Sequence, residues 1–161
     1  MAENIVYRAR RAAAALFTRR CVCCGRSFSG RQCVCSECAA GLVPADEPRG
    51  DFAACASYLY EGAARDVMLR FKFGEAPELY ADTLADWLCD GFDRHYDGES
   101  FDFAVSVPSF GERPRMELFV RDFAKRRGLC YRPGLLIKTR PTEKQHRLSA
   151  AERRTNLRGA F

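Results

Sequence analysis

Four cysteines stand in two C-x-x-C pairs, Cys21/Cys24 and Cys35/Cys38, ten residues apart. A C-x-x-C turn lets two thiolates converge on one ion, and two such turns supply the four sulfurs of a closed tetrahedral site. Zinc is the ion this donor set predicts. With thiolates at all four positions there is no place for water or substrate, so the expected role is structural. Cys23 and Cys33 complicate the choice, because Cys33/Cys35 is a C-x-C alternative to Cys35/Cys38 and ligand exchange between them is conceivable. A redox dithiol and an iron–sulfur cluster are the competing chemistries. A thioredoxin-type C-x-x-C follows a strand in a βαβ unit, and no such pattern surrounds these pairs.

The elements that must position these sulfurs are bounded by composition. An apolar fraction of 47% over 161 residues allows one main domain plus a small appendage. No apolar run reaches the roughly 18 residues of a membrane span. The best candidate, residues 12–17, is flanked by arginines at positions 11 and 19, so neither a span nor a secretory signal is expected. The nine cysteines are then expected in a reducing cytosol, where clustered Cys favours metal over disulfides. Cys55, Cys89 and Cys130 are scattered and read as buried thiols.

The net charge of +5 hides a division. Residues 1–50 carry 8 basic and 4 acidic side chains, residues 51–100 carry 4 and 11, and residues 101–161 carry 14 and 6. A basic end beside an acidic middle points to an anionic ligand or nucleic acid near the basic end, against the plainer alternative of a solvated arginine-rich surface.

Residues 3–18 read as a helix with a loose apolar stripe. The cysteine segment follows, with Gly25 placed to supply a positive-φ turn behind the first pair. Residues 44–50 look like a linker. Residues 52–60 read as a strand, 63–71 as a helix, and 77–89 as a second helix with Pro77 in its first turn. The apolar stripe of that second helix includes Thr83 and Trp87 and reads as core. Residues 90–100 read as a polar loop in which His95 is solvated. Residues 101–108 alternate as a strand ended by Pro108. Residues 116–128 read as a helix and 135–137 as a short strand. Strand–helix–strand–helix order predicts an α/β domain with partly parallel pairing. Such domains bind ligands outside the carboxyl ends of their strands, which points to the loop carrying Ser109, Arg113 and Arg115.

Four segments, in order, resemble the ComF family, bacterial proteins that join an N-terminal zinc ribbon to a type I phosphoribosyltransferase-like domain and are linked to DNA uptake in competence. The first is the paired C-x-x-C ribbon. The second runs from Tyr60-Glu61-Gly62-Ala63-Ala64-Arg65 to Phe71-Lys72-Phe73. The third is Val105-Ser106-Val107-Pro108. The fourth combines Arg140-Pro141-Thr142-Glu143-Lys144-Gln145 with Arg154-Thr155-Asn156-Leu157-Arg158-Gly159-Ala160-Phe161. The resemblance implies an α/β chain with an N-terminal helix over 1–20, a small four-Cys zinc ribbon over 21–43 and an incomplete phosphoribosyltransferase type I-like domain over 51–161. Two departures stand out. The family's R-G-F-N run after the third segment is replaced by Ser109-Phe110-Gly111-Glu112-Arg113-Pro114-Arg115. The acidic, Thr-Thr-Gly-rich loop that cradles phosphoribosyl pyrophosphate (PRPP) has no counterpart, since neither Asp-Asp nor Thr-Thr-Gly occurs.

Three functions are expected in competition. In a transferase, Mg²⁺ would bridge the departing pyrophosphate. By resemblance, Lys72, Arg140, Gln145, Arg154 and Asn156 would then face the substrate, although without the PRPP loop the chain is expected to be inactive. A binding module would use the ribbon and the basic C-terminal third on single-stranded DNA or on the DNA-uptake machinery. The third expectation is a chain truncated before the PRPP loop, either a non-functional fragment or one half of a protein whose C-terminal half is encoded separately.

Overall fold

The computed structural model describes residues 19–46, 54–108 and 115–161. The expected helix over 3–18, most of the expected linker, and Ser109 to Pro114 lie outside the described residues. The chain divides into two compact units, Met1–Ser100 and Phe101–Phe161.

In the first unit, apolar residues four apart build the core. Helix α2 (Gly62–Phe73) buries Ala63, Ala64, Val67 and Phe71 on one face. It packs against helix α3 (Glu78–His95), whose Ala81 and Ala85 are fully buried and whose small side chains let the helices approach closely. Glu61 precedes α2, and the Arg65 N–H donates to its carbonyl. Pro77, with φ −61°, opens α3, where its missing N–H costs nothing. The short elements of the cysteine segment are strands β1 (Arg19–Arg20) and β2 (Ser27–Phe28) and helix α1 (Ser36–Ala40).

Helix α3 runs six residues past the expected end at Cys89, so the expected polar loop begins later and His95 is half-buried rather than solvated as a loop residue. The polar residues of this last stretch are held by the segment that crosses it. Tyr58 donates its hydroxyl to Asp90 (2.8 Å), and its ring meets Trp87 edge-on at 5.8 Å. Arg94 stands over the same Tyr58 ring and donates to the Ser57 carbonyl. The His95 ring nitrogen Nε2 lies 2.9 Å from the Ala45 carbonyl. Arg94 and His95 also occupy the last turn of the helix, where cations are favoured. The strand expected over 52–60 is, in its described part, one isolated antiparallel bridge between Pro44 and Tyr58. Two backbone bonds flank the bridge, from the Leu59 N–H to the Val43 carbonyl (2.8 Å) and from the Ala45 N–H to the Ser57 carbonyl (3.4 Å), while α3 receives the segment's side-chain contacts.

In the second unit, strand β3 (Phe103–Ala104), helix α4 (Arg115–Arg126) and strand β4 (Cys130–Tyr131) form a crossover whose strands pair in parallel, Phe103 with Cys130 and Ala104 with Tyr131. The expected strand over 101–108 is thus two residues long. The second strand is at 130–131 and not at 135–137, which carries no regular structure. Gly128 (φ +68°) sets this register. The Leu129 N–H reaches back to the Ala124 carbonyl (2.9 Å) and the Gly128 N–H to the Lys125 carbonyl (3.5 Å). This Schellman ending turns the chain directly into β4. Cys130 is exposed, not a buried thiol. Helix α5 (Ala150–Asn156) follows a 3₁₀ turn (Gln145–Arg147). Ser149 caps it, and Glu152 returns the bond to the Ser149 N–H, completing a capping box.

Gly91 faces the crossing segment. A Cβ built there would lie 2.8 Å from Ser57 Cα, which is backbone and cannot swing aside. Gly91→Ala is expected to destabilise the first unit by about 1–3 kcal/mol, read as a lowered denaturation midpoint. An unchanged midpoint would show that the segment and α3 are not in this contact.

Candidate metal centre

The first pair of sulfurs is carried by a hairpin. Strands β1 and β2 pair antiparallel, Arg19 with Phe28 and Arg20 with Ser27. The Cys21 N–H donates to the Arg26 carbonyl (2.8 Å) and the Gly25 N–H to the Cys21 carbonyl (2.9 Å). Gly25 takes φ +72°, the left-handed turn that a Cβ would strain. The second pair is carried by a helix start. Cys35 is the N-cap of α1, and Cys38 lies in its first turn. The Cys35 N–H donates to Cys21 Sγ at 3.3 Å, tying the halves together.

The sulfurs of Cys21, Cys24, Cys35 and Cys38 all lie within 4.8 Å of one another, and those of Cys24 and Cys35 are 3.7 Å apart. A tetrahedron of thiolates at about 2.3 Å from a central zinc has edges of about 3.8 Å, so the donor set fits a metal ion after a slight contraction. Cys21 and Cys35 are buried, Cys38 is half-buried and Cys24 is exposed. Cys23 and Cys33 are not in the cluster, and the C-x-C alternative is not the arrangement that forms. The Cys33 N–H instead donates to Thr83 Oγ1.

Electrostatics separates the thiols. Burial works against charge on Cys21, but backbone N–H groups of Cys24, Cys35 and Cys23 converge on its sulfur and together outweigh burial, drawing this thiol down to about 6. Cys38 is pushed up by burial and by hydrogen bonds with Cys24, Cys35 and Cys21 that favour its protonated form. Cys23 is raised to about 12 by burial and by the charges of Cys21 and Asp66. Burial raises Cys33 to about 11. The two shifts run in opposite directions, Cys21 toward the thiolate and Cys38 toward the thiol.

The cluster is seated on α3 by three consecutive residues. Arg31 pairs with Asp82 (3.5 Å), the Gln32 amide donates to Asp86, and the Cys33 N–H donates to Thr83 at 2.9 Å. Arg19 closes the other side, donating to the Arg31 carbonyl at 2.7 Å. Helix α3 is thus more than core. The signal lay in polar residues 82, 83 and 86 recurring on one helical face, Thr83 within the apolar stripe itself.

The residues expected to face a substrate fall in both units. Lys72 is exposed near the end of α2, its ammonium 5.3 Å over the Phe73 ring. In the second unit Arg140 and Asn156 are brought together. Arg140 Nη2 donates to the carbonyls of Asn156 (2.9 Å) and Arg158 (2.8 Å). The Asn156 amide donates to the Glu143 carbonyl and accepts from the Glu143 N–H. Gln145 opens the 3₁₀ turn, and its carbonyl accepts from Arg153 Nε. Its buried side-chain nitrogen has no hydrogen-bond partner among the described residues. Arg154 is exposed on α5. Of the loop expected to receive a ligand, Arg113 lies outside the described residues and Arg115 opens α4. Among the described residues no helix is long and apolar enough to cross a membrane. Comparison with family models, with curated proteins and with solved structures gives no match.

Metal binding must displace at least the Cys38 proton, so affinity should fall as pH falls, by about tenfold per unit for each proton released. A chelator competition between pH 8 and pH 6 measures this, and a pH-independent affinity would contradict thiolate ligation. In a cobalt titration Cys24→Ser should weaken the intense thiolate charge-transfer band and lower the affinity, while Cys23→Ser should change neither. The opposite pattern would exchange their roles.

Proposed function

We propose that Cys21, Cys24, Cys35 and Cys38 hold one structural zinc ion, and that the protein is a ComF-like binding component of DNA uptake rather than a transferase. The observation that carries the zinc assignment is the sulfur cluster itself, with four thiolates at near-tetrahedral spacing. In that site zinc supplies a closed cross-link and no catalysis. Cysteine-only ligation, with no histidine or carboxylate in the cluster, favours zinc over the harder divalent ions.

The DNA part of the assignment is supported by charge and by motif order. The second unit carries 14 basic and 6 acidic side chains, and four segments follow the ComF order along the chain. Binding is favoured over transfer because Arg140 and Asn156 spend polar atoms on the fold of their own segment.

Metal analysis of the purified protein is expected to return one zinc per chain; iron with visible absorption would replace zinc with a cluster. Anisotropy of labelled single-stranded DNA is expected to show affinity falling about tenfold or more between roughly 50 and 200 mM salt. Salt-independent binding, or none at the lower salt, would remove the DNA assignment. Calorimetry with PRPP and Mg²⁺ is expected to be silent, and tight Mg²⁺-dependent binding would restore the transferase.

A further inference from the structure

The register of β3 on β4 sorts the second unit's residues onto two faces. In a parallel pair, side chains opposite one another share a face. Ala104 lies opposite Tyr131. The Arg121 guanidinium of α4 stands over the Tyr131 ring at 5.8 Å, and the Ser106 hydroxyl meets the Tyr131 hydroxyl at 3.0 Å. That is the face α4 covers. Phe103 lies opposite Cys130 on the other face, where Phe103 is 47% exposed and Cys130 is exposed. The alternation runs on, with Val105 and Val107 exposed (Val107 at 59%) and Ala104, Ser106 and Pro108 half-buried. Arg132, two residues past Cys130, continues the ladder through its N–H to the Ala104 carbonyl (3.0 Å) and is exposed as well.

Parallel strands are ordinarily covered on both faces, because their crossover helices lie there. Among the described residues one face is covered and the other shows an apolar row beside Arg132. We propose that this bare face is an interaction surface that seats an acidic amphipathic helix of a partner protein. The helix lays its apolar side on Phe103, Val105 and Val107 and brings a carboxylate to Arg132. A helix is the element that completes a second layer on a parallel sheet. An acidic one is selected by charge, since the face carries Arg132 within a unit of 14 basic and 6 acidic side chains. The surface does not rest on the zinc assignment, and it shares with the DNA reading only the basic charge of this unit.

The test uses the full, metal-loaded chain and two synthetic amphipathic helical peptides with one leucine face, their polar faces all glutamate or all lysine. The glutamate peptide is expected to bind about tenfold or more tightly than the lysine peptide and to slow maleimide labelling of Cys130, followed site by site by mass spectrometry, while labelling of Cys23 is unchanged. Arg132→Glu should reverse the preference between peptides, and Val107→Asp, at an exposed position, should weaken both. Equal binding of the two peptides, binding of neither, or no protection of Cys130 overturns the proposal. So does a free protein that sediments as a dimer with Cys130 already protected, which would make a second copy the occupant.

Discussion

Four cysteine sulfurs gathered within 4.8 Å cannot all ionise without repelling one another, and the cysteine segment has almost nothing else to hold it together. Of residues 19–46, only Cys21, Cys33, Val34, Cys35 and Ala45 are buried among the apolar side chains, and Val34 is the one aliphatic residue of any size. A segment with so little core cannot offset the entropy of ordering its chain by burial alone. A cation bound at the centre would hold all four as thiolates and supply the missing core. The backbone is arranged in anticipation, with N–H groups of residues 23, 24 and 35 directed at Cys21.

The second requirement is a seat. A ribbon closed by metal remains a small knot unless it is fixed to something larger, and α3 provides the platform with three polar side chains on an otherwise apolar surface. Thr83 is fully buried, so its hydroxyl needs a partner inside the protein, and the Cys33 N–H is that partner. The opposite end of α3 is fixed in the same manner, through Asp90, Arg94 and His95 to the segment around Tyr58. One helix thus receives both the ribbon and the chain that leads away from it.

Much of this was legible in the sequence where local chemistry decides. The two C-x-x-C pairs, Gly25 behind the first, Pro77 opening α3 and the apolar spacing of Val67 and Phe71 each rest on one or two residues and their neighbours. The length of β3, the place of β4 and the end of α3 depend on contacts between distant segments. The alternation over 101–108 correctly marked two faces but could not say how many residues would find a partner. Leucine and isoleucine at 135–137 looked more strand-like than Cys130-Tyr131, yet Gly128 ends α4 where 130–131 meets β3 first. His95 was misjudged because its partners are backbone carbonyls, which have no sequence signature. The capping box of Ser149 and Glu152 is legible in the sequence as Ser-x-x-Glu ahead of α5.

The anchor of the ribbon sits between its two halves. Residues 31–33 hold α3, and the ligands flank them on either side. Release of the ion therefore does not only loosen a surface loop; it frees the Cys33 amide and leaves the buried Thr83 hydroxyl without its partner. The ribbon and the middle of α3 should consequently open as one cooperative unit, with amide exchange at 33 and around 83 rising together when the metal leaves. A metal bound by the four cysteines would in this way govern the local stability of α3.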